Sequence, residues 1–233
     1  MKVIRIALAW LSASALLVTQ GCFAAVSCLP KTSAEVVNAI GRGEVVRLVH
    51  CGLDPNQALI LDGQPIMPLV IAASLGKPEI VEQVIQAGAD PNNAGPSDMP
   101  LPPLEVALSN NKYAAAMVLL RSGARGDYTL EGSGATALMT LAFNRSTDQG
   151  QAADMVRVLI EHGAKLNAQD STGNTALHLA ARMGNGAVLR SLLRRGADRC
   201  IKNAKGFYPK DLVRAPDEQR LAADLSEACP SKP

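Results

Sequence analysis

Residues 167–203 read N-A-Q-D-S-T-G-N-T-A-L-H-L-A-A-R-M-G-N-G-A-V-L-R-S-L-L-R-R-G-A-D-R-C-I-K-N. Thr175 stands where a helix N-cap is wanted, because a hydroxyl there accepts an orphan backbone N–H of the first turn. Leu177, Ala180 and Ala181 give a short helix one apolar face. Gly184-Asn185-Gly186 breaks it, and Val188, Leu189, Leu192 and Leu193 restart an apolar stripe at helical spacing. Gly196 ends the second helix at a position that favours positive φ. The stretch therefore encodes a turn, a short helix, a tight loop, a longer helix and a stop. Neither helix can bury its apolar face alone, so the unit needs neighbours of its own kind.

Asp170, Gly173, Thr175-Ala176-Leu177-His178, Ala180-Ala181, Gly184, Leu192-Leu193 and Gly196-Ala197-Asp198 together resemble an ankyrin repeat. The resemblance implies an all-α repeat solenoid, an ankyrin-like stack of helix–loop–helix units with β-hairpin fingers. It also implies that His178 bonds between neighbouring repeats instead of doing chemistry.

Laid along the chain, the pattern gives units at about 31–57, 64–92, 99–127, 133–167 and 170–200, with a C-terminal cap at 203–229, all in one domain over 25–233. The first unit opens on Thr32-Ser33-Ala34-Glu35, a capping-box pattern, and lacks the Thr-x-Leu-His signature. Before the second unit, Asp62-Gly63 between apolar residues predicts a hairpin turn. Val70, Glu105 and Met139 stand where the second, third and fourth units would carry the histidine. The distance from the Thr position to the Gly stop is the same in 67–88, 102–123 and 175–196, and six residues longer in 136–163. That surplus is expected as a polar surface loop over residues 144–151. The sixth unit is degraded, with a polar second helix around Leu221 and Leu225, as a terminal cap requires.

The chain begins with Lys2 and Arg5, an apolar run from Ile6 to Val18, and small residues near Gly21, Cys22 and Ala24. That order predicts a secretory signal over 1–24. The run is short for a membrane span, which needs about 20 residues. Two endings compete: cleavage before Ala25, or a lipoprotein signal with Cys22 lipidated. Thr19 in place of the usual Leu weakens the second. The expected location is a bacterial periplasm, or the outer membrane by a lipid anchor.

Cys28, Cys51, Cys200 and Cys229 follow the leader, and cysteines in an exported chain raise the expectation of disulfides. In a helix hairpin the start of the first helix lies beside the end of the second. The expected pairs are Cys28–Cys51 and Cys200–Cys229, each clamping one terminal unit.

Aromatic residues make up 3% of the chain, which suits thin helical layers packed through Ala and Leu. Without Lys2 and Arg5, 21 Lys and Arg balance 21 Asp and Glu, so no overall basic field predicts a nucleic-acid partner. Three histidines, no C-x-x-C and no phosphate-cradling glycine motif leave no catalytic constellation, metal set or cofactor site to name. The expected function is a non-enzymatic, monomeric module that binds a protein partner in the periplasm or envelope, as an immunity or helper protein. The alternatives are a thiol-redox or metal-dependent periplasmic enzyme using the cysteines, and a structural envelope protein. In ankyrin-like arrays the fingers and the outer faces of the first helices form a concave surface. Here that surface would comprise Leu75, Ser109, Asn110, Tyr128, Phe143, Asn144, Arg145, Arg182 and Met183. Tyr128, Phe143, Arg182 and Met183 are the anchor types among them.

Overall fold

A computed structural model describes residues 28, 30, 32–96, 101–146, 148–213 and 218–226, with backbone only for 218–220. The leader-like segment 1–24, Cys22 and Cys229 lie outside the described residues.

Helix α1 (Ser33–Gly41) starts at Thr32, whose hydroxyl accepts the Glu35 N–H at 3.2 Å while the Glu35 carboxylate accepts the Thr32 N–H at 3.4 Å. Two orphan donors are thus satisfied, as the spacing predicts. Helix α2 (Val45–His50) turns back on α1. Strands β1 (Leu59–Leu61) and β2 (Gln64–Ile66) pair antiparallel with Leu59 opposite Ile66. Asp62 (φ 51) and Gly63 (φ 78) close them, both on the positive side that a two-residue hairpin turn demands. The helix pairs α3 (Pro68–Leu75) and α4 (Pro78–Gln86), α5 (Pro103–Ser109) and α6 (Tyr113–Arg121), α7 (Ala137–Phe143) and α8 (Gln149–Glu161), and α9 (Ala176–Met183) and α10 (Gly186–Arg194) follow. Proline opens α3, α4 and α5, where its missing N–H would have had no intrahelical partner.

The first helices pack in one layer in chain order, α1 on α3 on α5 on α7 on α9, and the second helices pack likewise in another. Each unit touches its neighbours, which is the architecture of a solenoid. The layers close on small residues: Ala72, Ala73, Ala107, Ala142, Ala180 and Ala181 are fully buried. Leu48, Leu69, Leu104, Leu138 and Leu159 fill the spaces between helices, and a single core runs from Val36 to Leu225.

Three features differ from the sequence reading in detail. Among the described residues only the finger before the second unit is a two-stranded ladder; that of the fourth unit has one bridge, Thr129 to Thr136, and that of the fifth is a turn. In that turn Asp170 Oδ1 accepts from the backbone of Thr172 (2.9 Å) and Asn174 (2.8 Å), taking groups a ladder would use. The surplus in the fourth unit is not all loop. Asp148 caps Gln151 N–H at 2.9 Å, and α8 runs 13 residues where α4, α6 and α10 run 9. The sixth unit reduces its first helix to a 3-10 turn, Pro209–Leu212, before α11 (Glu218–Asp224), on which Leu221 is buried.

Candidate interaction surface

The starts of the first helices set the geometry of the groove. His178, in the first turn of α9, is fully buried. Its Nδ1 accepts the Thr175 N–H at 3.1 Å and meets the Thr175 hydroxyl at 2.9 Å, while its Nε2 faces the Phe207 carbonyl at 3.1 Å. A carbonyl can only accept, so the ring is neutral with its proton on Nε2. Burial holds the imidazole below its ordinary 6.5, against the opposing pull of the Phe207 carbonyl. The residue is a strut between the fifth unit and the sixth.

The other units solve the same position differently. Met139 leaves the Thr136 hydroxyl buried with no hydrogen-bond partner among the described residues. Glu105 makes a network instead. Its carboxylate accepts from Ser109 Oγ (2.9 Å), from Thr140 Oγ1 (3.0 and 2.9 Å) and from the Tyr128 hydroxyl. Burial first, and then the Glu105 carboxylate, push the Tyr128 phenol well above its ordinary value. The network ties α5 to the fourth unit, so Tyr128 is held inward by its hydroxyl and does not stand free in the groove.

Asn144 is also engaged. Its Nδ2 donates to the carbonyls of Leu108 (3.1 Å) and Ser109 (3.0 Å), satisfying the end of α5. Asn185 repeats the move on α7, donating to Leu141 (3.3 Å) and Asn144 (2.9 Å). Asn110 donates to Val106 O at 2.8 Å, and Ser109 Oγ also donates to Glu105 O at 2.8 Å. Of the nine groove residues, the large side chains that remain presented are Leu75 (40% exposed), Phe143 (48% exposed), Arg145, and the half-buried Arg182 and Met183. The structure adds two that the sequence reading did not include: Lys205 and Phe207, the latter 45% exposed. They line a hollow of about 270 Å³ with Arg182, Thr172, Asn174 and Asn203. Gly206-Phe207 occupies the place of Gly173-Asn174 one unit earlier, and that alignment was the available signal.

A second set of bonds runs along the loops that end each unit. Asn56 donates to Gly88 O and accepts from Asp90 N, both at 2.8 Å. Asn92 does the same to Gly123 O (3.1 Å) and Arg125 N (2.9 Å), and Asn167 accepts from Asp198 N at 2.9 Å. Between the third and fourth units Asp127 takes the place of the asparagine, and Gly126 N–H bonds His162 O at 3.1 Å instead. These rungs fix the spacing of units and hence the shape of the groove.

Cys28 and Cys51 are joined, with Cα atoms 5.4 Å apart, across the first unit. Cys200 is also disulfide-bonded; Cys229, its expected partner, lies outside the described residues, as does Cys22. His162 Nδ1 lies 2.8 Å from Val158 O, and among the described residues no three His, Cys, Asp or Glu gather as a metal-ligand set. No helix among them is long and apolar enough to cross a membrane.

Comparison with known proteins agrees with this architecture. A family model described as ankyrin repeats (3 copies) matches residues 104–203. The mouse B-cell lymphoma 3 protein homolog (Mus musculus) is 35% identical over 112 residues, 48% of this chain and 24% of that protein. Protein lin-12 of Caenorhabditis elegans is 29% identical over 172 residues, 70% of this chain and 12% of that protein. The regulatory protein SWI6 of Saccharomyces cerevisiae is 52% identical over 46 residues, 20% of this chain and 6% of that protein. The chain thus spans a quarter or less of the length of these relatives.

Proposed function

Because this chain is an ankyrin-repeat protein, a solenoid whose repeats form a protein–protein interaction module, we propose that it binds a protein partner in the groove of its fourth and fifth units, in the periplasm or cell envelope. The observation that carries the groove is Phe143. It ends α7 with 48% of its surface in water, although the surrounding helix is buried. Keeping a large aromatic ring half-exposed costs solvation and is recovered when a partner covers it. Arg182 and Met183 lie at the equivalent place in the next unit.

The leader-like order of Lys2, Arg5, Ile6 to Val18 and the small residues after it supports export. The Cys28–Cys51 contact fits an oxidising compartment. That pair sits at the first unit, away from the groove, which favours a clamp over thiol chemistry. In this setting the module serves as an immunity protein that blocks a toxin or as a helper of an envelope enzyme.

The test begins with the tagged full chain, recovered by cell fractionation and cross-linked in place. The cross-linked protein is then titrated against Phe143→Ala and Ser74→Ala. We expect recovery from the envelope fraction, a loss of about 1–3 kcal/mol for Phe143→Ala and no change for Ser74→Ala. Recovery in the cytoplasm alone removes the envelope role. Equal binding by the two variants removes the groove.

A further inference from the structure

The near balance of charge over the whole chain conceals a division along it. Residues 28–175 carry ten Lys and Arg against fifteen Asp and Glu, whereas residues 176–213 carry eight against Asp198 and Asp211 alone. The positive part is the fifth unit with the finger and turn that follow it, and the hollow lies within it. Lys202 Nζ sits 4.9 Å from the centre of the Tyr208 ring and Lys210 Nζ 5.7 Å from it, which holds two further cations on this finger and turn.

The neutral lining of the hollow is satisfied internally. The Thr172 hydroxyl donates to Asp170 Oδ1 and accepts from Asn174 Nδ2, both at 2.7 Å. Asn174 Oδ1 accepts from Asn203 Nδ2 at 2.9 Å, and Asn203 Oδ1 accepts the N–H groups of Lys205 and Phe207 at 3.0 Å. The carboxylates nearby are engaged as well: Asp170 by its own turn, and Asp211 by the Tyr208 N–H at 2.8 Å. Among the described residues neither Arg182 nor Lys205 forms an ion pair. What the hollow presents outward is therefore two cations with donors to offer, beside the half-exposed ring of Phe207.

We propose that this hollow receives an acidic segment of the protein partner, with an Asp or Glu side chain bonding Arg182 and Lys205 and a neighbouring apolar side chain covering Phe207. The proposal rests on the groove reading above and adds the chemistry of the occupant. Charge-assisted bonds to a carboxylate are stronger than neutral ones, and the planar guanidinium of Arg182 suits a two-oxygen acceptor. An anionic membrane fits less well. It calls for a flat run of about four to eight cations, and these two line a recess.

The test is a titration of the full chain with a labelled synthetic peptide of alternating Glu and Phe. Its Gln-for-Glu and Lys-for-Glu counterparts and phosphatidylserine vesicles are titrated alongside. The Glu peptide should bind, weaken with added salt, and lose about tenfold or more with Arg182→Glu and Lys205→Glu. Phe207→Ala should weaken it, and Arg121→Glu, the same charge change away from the hollow, should leave it alone. Circular dichroism of each variant shows that the fold is kept. Failure of the Glu peptide to bind, equal binding of the Gln peptide, indifference to Lys205→Glu, or preference for the vesicles would overturn the proposal. If the Glu peptide fails while the cross-linked partner still depends on Phe143, the groove stands and its acidic occupant does not.

Discussion

At the scale of single residues, one position decides how tightly neighbouring units hold. His178 is neutral and depressed below 6.5 because its burial disfavours the charged ring. A histidine with a lowered folded pKa contributes stability that is complete above the unfolded value and is lost as the pH falls from there toward the folded one. Acidification from about pH 7.5 to about pH 5 should therefore lower the melting temperature. His178→Gln should be about 1 kcal/mol less stable at the upper pH, and the gap should narrow at the lower one. A gap independent of pH would mean that the ring is not the titrating group. The converse substitution is Met139→His. It gives the stranded Thr136 hydroxyl the partner that Thr175 has, and brings Nε2 to the Asn174 carbonyl, which accepts Asp170 N as Phe207 O accepts Asn203 N. Thermal melting should show a gain of about 1 kcal/mol; a loss would mean that the packing of Met139 outweighs the bond.

Elements are where the fingers meet, and there the backbone matters more than side chains. Ala204 N–H donates to Thr172 O at 3.0 Å across the fifth and sixth fingers. Gly173 (φ 73) makes this approach feasible, since a Cβ on it would stand 2.6 Å from Ala204 N. Gly132 has nearly the same φ, 74, with nothing within 4 Å. Gly132→Ala should cost about 1 kcal/mol of strain alone, and Gly173→Ala roughly 2–3 kcal/mol, because strain and collision add. Equal losses in a denaturant titration would show that the finger contact contributes nothing. Elements of this kind were largely legible in the sequence, because their signals are local. The Thr32–Glu35 box, the Asp62-Gly63 turn and the Thr-to-Gly spacing each span no more than one repeat length of sequence. The Glu105 network was not legible, for it joins residues 105, 128 and 140 across two units, and in sequence Glu105 registers only as a missing histidine. Phe207 escaped for a related reason: its unit has only a 3-10 turn where the others have a first helix, so the spacing shared by the earlier units does not mark groove positions there.

For the whole molecule, stability is a sum over units and the joints between them, and the ends are the weak members. The Cys28–Cys51 bond closes a loop of sequence separation 23 around the start of the first unit. In the chain-entropy model such a loop contributes roughly 3 kcal/mol. Reductant should therefore open α1 and α2 to hydrogen exchange first, while α7 and α9 keep their protection. Uniform loss of protection would mean that the stack melts as one body. The uneven placement of charge has a further consequence. A chain that is negative over its first four units and positive over its fifth carries a permanent dipole along its course, although its net charge is close to zero. An approaching acidic body exerts a torque on such a molecule before it touches it, and the torque turns the positive end forward. Salt that shortens the Debye length below about 10 Å removes the torque but leaves close contacts in place. The protein is then an oriented target in dilute electrolyte and a randomly tumbling one in concentrated electrolyte, with the same surface in both.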